Sequence, residues 1–263
     1  MTKTHQLLYA TLILFFAGCS SLKNVTTTPT APPAERIPAK FDFSPPSRAQ
    51  TGQTGITIAM VKPTYVGKNP EYFVPPFNEM ASSMANDFEE LLTAKGFTMR
   101  GPYGSRDEMT YNDKVNSSFV LEIGIQLNPQ YHRKFDTQTH SPSFSDILIN
   151  KNAPTTYTTT TSGEVTLGGN LVINAKSSQY GELLWKKSIA LDPASFTYVG
   201  QKNWTGEPTM AEELNTDNIV YNTMSRELEK FYLKSLGLAW QQIDPAEMKS
   251  VAEQSKKADK RGN

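Results

Sequence analysis

Few residues of this chain have the types and spacing that chemistry requires. His132 and His140 lie in a polar stretch rich in Ser, Thr and Asn. Zinc usually takes three or four protein ligands, so two histidines without cysteine or acidic companions read as solvated side chains, and no metal or cofactor is expected. The acid pairs Glu89-Glu90 and Glu212-Glu213 fall in helical stretches. Neighbouring helical residues point in different directions, so both pairs read as solvated faces and not as general acid–base sites. The sequence holds no Gly-x-Ser-x-Gly elbow and no phosphate-cradling glycine loop. Gly168-Gly169-Asn170 sits between strand signals, where a hairpin turn is the simplest expectation. The chain is therefore expected not to be an enzyme. The remaining basic and aromatic cluster, Tyr131-His132-Arg133-Lys134-Phe135, suits recognition: rings stack on sugars, and Arg or Lys pairs with a carboxylate.

The single cysteine, Cys19, has a different setting. Lys3 precedes the apolar run Leu7–Phe16, which ends in Ala17-Gly18-Cys19-Ser20-Ser21. A bilayer core needs about 20 apolar residues to cross, so this shorter run reads as the h-region of a secretory signal. The small residues before the cysteine resemble a bacterial lipobox, which implies cleavage after residue 18 and acylation of Cys19. Several acyl chains anchor a protein well, because each buried methylene contributes about 0.8 kcal/mol. Ser20 stands where aspartate signals inner-membrane retention, so the resemblance favours the outer membrane and a lipid bilayer as first partner.

Composition narrows the class further. The chain has 26 basic and 26 acidic side chains; loss of residues 1–18 removes Lys3 alone, leaving 25 against 26. A nucleic-acid binder would show a dominant basic face, so none is expected as partner. With Cys19 acylated, no disulfide is available, and the fold must rely on its core. About 190 residues are enough for one such core.

The elements that must position the recognition residues follow from periodicity. Residues 19–54 read as the acylated cysteine and a flexible tether, since Pro29, Pro32-Pro33 and Pro45-Pro46 interrupt any pattern. A folded domain is expected over 55–243. Ile56–Val61 alternates as a strand. Phe77, Met80, Met84, Phe88, Leu91 and Leu92 form one helical stripe, which Lys95-Gly96 ends. Phe97–Arg100 follows as a strand, completing a βαβ-like opening. In Phe119–Leu127 the odd positions are apolar while Glu122 and Gln126 face away, as in a sheet covered on one side. Thr158–Ala175 reads as a strand pair and Leu183–Leu191 as the returning strand. A helix is expected from Asp217 to Leu236, and 244–263 reads as a charged tail. Pro129–Tyr157 is expected as a long loop, a length usually associated with function. The fold class is α+β: a mostly antiparallel sheet with two main helices on one face.

Ile58-Ala59-Met60-Val61-Lys62-Pro63, Leu92-Thr93-Ala94-Lys95-Gly96-Phe97 and Gly124-Ile125-Gln126-Leu127-Asn128-Pro129 together resemble the neuraminyllactose-binding haemagglutinin, or flagellar sheath adhesin, lipoprotein family. The resemblance implies an outer-membrane or surface lipoprotein that binds sialylated glycans. It places ligand contact just after Asn128-Pro129, where this chain has His132-Arg133-Lys134-Phe135-Asp136, so Arg133 and Lys134 are the implied ligand-binding residues. A lipoprotein facing the periplasm and binding another envelope protein, as an accessory or scaffold, is the alternative expectation.

Overall fold

In the computed structural model the described residues are 34–150, 152 and 154–261; the signal segment and Cys19 lie outside them. The opening is the expected βαβ unit. β1 (Thr57–Val61) feeds the short β2 (Thr64–Tyr65), then α1 (Phe77–Ala94), then β3 (Thr98–Tyr103), which pairs parallel to β1. The helix forms because its apolar residues recur every three or four positions. Phe77, Met80, Met84, Phe88, Leu91 and Leu92 are all fully buried, each burial contributing about 1.5–3 kcal/mol. Gly96 ends it with φ of +88°, a left-handed conformation that costs glycine little.

After the one-turn α2 (Tyr111–Val115), β4 (Phe119–Leu127) runs parallel to β1. It is followed by β5 (Gln130–His140), α3 (Phe144–Ile149), β6 (Thr156–Lys176) and β7 (Leu183–Val199). The mixed seven-stranded sheet has the order β3-β1-β4-β6-β5, with β2 on β4 and β7 on β6. Its long ladders, β4–β6, β5–β6 and β6–β7, are antiparallel. β4 and β5 lie end to end along one edge of β6, and β7 lies along the other. Helices α4 (Met210–Thr216), α5 (Asn218–Gln242) and α6 (Pro245–Arg261) follow. Residues of α1, α4, α5 and α6 join Ile58, Leu121, Ile123, Leu171 and Ile173 in one core on one face of the sheet.

Four expectations need correction. The tether is shorter than expected, because residues 34–54 pack on the domain. Phe41 and Phe43 are buried, the Phe43 N–H donates to Asp87 (2.5 Å), and the Ile37 N–H donates to Asn222 (2.8 Å). The alternation Phe41-Asp42-Phe43 lays an extended strap along α1 and α5. The charged tail is the helix α6, which buries Met248, Val251 and Ala252. Those three, at spacings of three and one, make an apolar stripe too narrow to stand out among the charges. No turn occurs at Gly168-Gly169: β6 runs straight through, with a register shift against β7 between Leu167 and Gly169. A Cβ on Gly169 would sit 2.0 Å from the Gln126 carbonyl oxygen, so the glycine permits close strand approach. Finally, the long loop 129–157 is largely a strand and a short helix, because β6 extends far enough to pair Thr156 with His140.

Candidate ligand-binding strand pair

β5 carries every residue on which recognition was expected, and the pleat sorts them onto two faces. Tyr131, Arg133 and Phe135 are half-buried on one side, where Arg133 meets α4, whereas His132, Lys134 and His140 are exposed. Arg133 and Lys134 are therefore neighbours in sequence on opposite sides of the sheet, and the structure does not bring them together.

The Arg133 side is a buried polar cluster. α4 starts at the Thr209 cap, whose hydroxyl accepts from the Glu212 N–H while Glu212 accepts from the Thr209 N–H. That start turns Met210, Glu213 and Leu214 inward, and all three are buried. Glu213 was expected on a solvated face; the spacing of three from Met210 is what turns it to the sheet. Arg133 Nη2 lies 3.0 Å from Glu213 Oε2 and donates to the Pro208 carbonyl at 2.6 Å. The Tyr198 hydroxyl donates to the same Glu213 oxygen at 3.3 Å. Burial, with the Glu213 carboxylate beside it, pushes the Tyr198 hydroxyl up to about 12. Gly163, opposite Arg133, leaves the space the cluster uses: a Cβ there would meet the Tyr198 ring at 3.1 Å. Arg133 thus has protein partners, and its guanidinium also lies 4.7 Å from the Phe135 ring centroid. Burial, with Glu71 nearby, raises the neighbouring Tyr131 hydroxyl as well.

The other face has a different chemistry. Across the ladders, His132 pairs with Glu164, Lys134 with Ser162, Asp136 with Thr160, and Glu164 in turn with Thr197. Lys134, Asp136, Thr160, Glu164, Ser195 and Thr197 are exposed. The result is an open hydroxyl- and charge-bearing platform, where Thr166 and Ser195 share a hydrogen bond of 2.7 Å. Such a surface can hydrogen-bond a polar ligand and offer Lys134 to a carboxylate. The platform was not legible as a site because the residues that build it come from three strands distant in sequence.

His132 and His140 stand at the two ends of β5, eight strand residues or about 27 Å apart, so they share no ion. Among the described residues no group of three His, Cys, Asp or Glu side chains is placed to hold a metal. Nor is any described helix long and apolar enough to cross a membrane.

No family model and no curated protein matches the sequence. Among solved structures, a proposed neuraminyllactose-binding haemagglutinin homolog from Helicobacter pylori aligns with 81% of this chain and 98% of its own. The identity is 10% and the TM-score 0.53. A Neisseria meningitidis lipoprotein aligns over 67% of this chain and 97% of its own at 13% identity, TM-score 0.24. A Xanthomonas campestris protein of the DUF330 family aligns over 80% and 98% at 11% identity, TM-score 0.27. At such identities the first likeness establishes a shared fold, and the other two carry no further weight.

Proposed function

We propose that this chain is a non-enzymatic lipoprotein of the bacterial envelope, exported by residues 1–18, acylated at Cys19 and held in the outer membrane. In this reading it faces outward and binds an extracellular ligand, a sialylated glycan, on the β5–β6–β7 platform around Lys134. The observation that carries the reading is the fold shared with almost the whole length of a haemagglutinin homolog. The lipobox-like Ala17-Gly18-Cys19 and the open polar platform support it. An exposed sheet face with hydroxyls at regular strand spacing suits a sugar, whose ring hydroxyls want several shallow hydrogen bonds. Lys134 there can pair with the carboxylate of a sugar, while Asp136 and Glu164 on the same face accept from its hydroxyls. Arg133, the other residue implied by resemblance, would act by holding the strand through Glu213.

Protease added to intact cells tests the display. Digestion of the mature protein is the expected result. Full protection, with digestion only after the outer membrane is opened, would retire the outward-facing reading in favour of a periplasmic partner.

A further inference from the structure

On the N-terminal side of Ser162, β7 no longer flanks β6, and β5 and β6 continue as a hairpin to its tip, met at its root by Trp204 on Thr159. The tip is α3, and its apolar side chains are turned to solvent: Phe144 is 77% exposed, Leu148 69% and Ile149 88%. This is a folded presentation. Ser143 caps the helix, its hydroxyl accepting from the Asp146 N–H while Asp146 accepts from the Ser143 N–H. Large apolar side chains grouped at a projecting tip mark an interaction site.

We propose that this tip rests on the lipid surface that carries the acyl anchor, so that the domain touches its membrane at two points. The inference depends on the reading of Cys19 given above. Two observations select lipid. The first is where the anchoring chain joins the domain. The Ala34 N–H donates to Gln201 (3.1 Å) and the Ala34 carbonyl accepts from Asn218 (2.8 Å). Gln201 follows Gly200, whose N–H donates to the Thr161 carbonyl, and Trp204 bridges Thr159. The anchor therefore enters at the root of the same hairpin. From Thr161 to Thr156 the strand advances about 17 Å. The fifteen residues from Cys19 to Ala34 reach about 45 Å when extended, enough for anchor and tip to meet one surface.

The second observation is charge. Residues 137–157 contain one acidic and one basic side chain, Asp146 and Lys151, among Ser, Thr, Gln, Asn and His. Polar strands flanking an apolar tip, with only Asp146 and Lys151 to keep hydrated, can enter the headgroup layer at little cost in stripped ions. A helix of six residues, about 9 Å long, can lie in the interface but not span the bilayer. Contact of this kind is driven by apolar burial, so added salt should leave it unchanged.

The test uses the full mature chain on vesicles of phosphatidylethanolamine and phosphatidylglycerol. An environment-sensitive fluorophore is attached at Leu148→Cys or, as control, at Lys230→Cys on α5. Acylation or a Cys19→Ser replacement leaves one thiol for the label in each chain. The expected result is a signal at position 148 that brightens at least about twofold and is quenched by nitroxide on the lipid tails, at low and raised salt alike. Position 230 should show neither change. An unquenched label at 148 on vesicle-bound protein would overturn the proposal. So would brightening with protein concentration in the absence of lipid, which would assign the patch to a second copy. Should the chain carry no acyl group and stay off the vesicles, the Cys19 reading fails by itself. The tip is then read in the Cys19→Ser chain, held on nickel-chelating lipid by an N-terminal hexahistidine tag.

Discussion

β6 is one strand with two histories. Its second half, Gly169–Lys176, lies between β4 and β7 under the helices, and Leu171, Ile173 and Ala175 are buried there. Its first half, Thr156–Thr166, keeps only Thr159, Thr161 and Val165 buried, on the α4 side, and leaves its other face open. Most of its residues are threonine or serine, and its neighbour β5 is exposed along one entire face. The same backbone ladder runs through both. What differs is the side chain at alternate positions: apolar where helices pack, hydroxyl-bearing where they stop. Fold stability should therefore concentrate in the second half, and recognition in the first.

The sharpest break in that division is Arg133, which lies in the recognition half yet is tied to fully buried Glu213. Removing one partner of a buried ion pair typically costs about 3–5 kcal/mol. Arg133→Ala should therefore lower stability by that order in urea unfolding, and Arg133→Met with Glu213→Leu should restore most of it. If Arg133→Ala unfolded like the wild type, the cluster would not be structural. In the helix-covered half, Leu171→Ala should cost about 2–5 kcal/mol. Thr160→Ala, on the open platform, should stay within about 0.5 kcal/mol. Met248→Ala measures how firmly α6 belongs to the core, with an expected loss of about 2 kcal/mol or more; a neutral result would return residues 245–261 to the status of a tail.

The smallest expected effect is a pH dependence under the strap. Burial raises the Asp87 carboxyl above its ordinary value, although the Tyr232 hydroxyl and the Phe43 N–H, which donate to it, pull the other way. An acid with a raised folded-state pKa binds its proton more tightly in the folded protein. Its contribution is thus fully present below the unfolded value and is lost as pH rises through the folded one. Stability should decline across that acid window, and Asp87→Asn should flatten the decline in unfolding midpoints measured at successive pH values.

Much of the helix-covered half was legible in the sequence because both of its periods were strong. The stripe from Phe77 to Leu92 and the alternation of Phe119–Leu127 each declare a buried face. The hairpin half was not legible in the same way. β5 mixes aromatic, charged and polar residues without contrast between faces and looked like loop. β6 looked like a strand pair with a turn at Gly168-Gly169, because its threonines do not show one continuous strand. Arg133 and Lys134 were found by residue type, but type does not say which side of a pleat a residue takes. That needed Gly163, Tyr198 and Glu213, contributed by three other elements. The strap was missed for a related reason: prolines hid two phenylalanines whose partners, Asp87 and the helices, come later in the chain.

The most direct test of the account is glycan binding by the full mature chain, wild type against Lys134→Ala, with Thr160→Ala as a second platform variant. The account predicts that a sialylated glycan binds and that removing its sialic acid abolishes binding. It also predicts that Lys134→Ala weakens the affinity roughly tenfold, equivalent to about 1.4 kcal/mol, without moving the unfolding midpoint. Binding that survives Lys134→Ala unchanged, or no binding to any sialylated glycan by the folded chain, would contradict it.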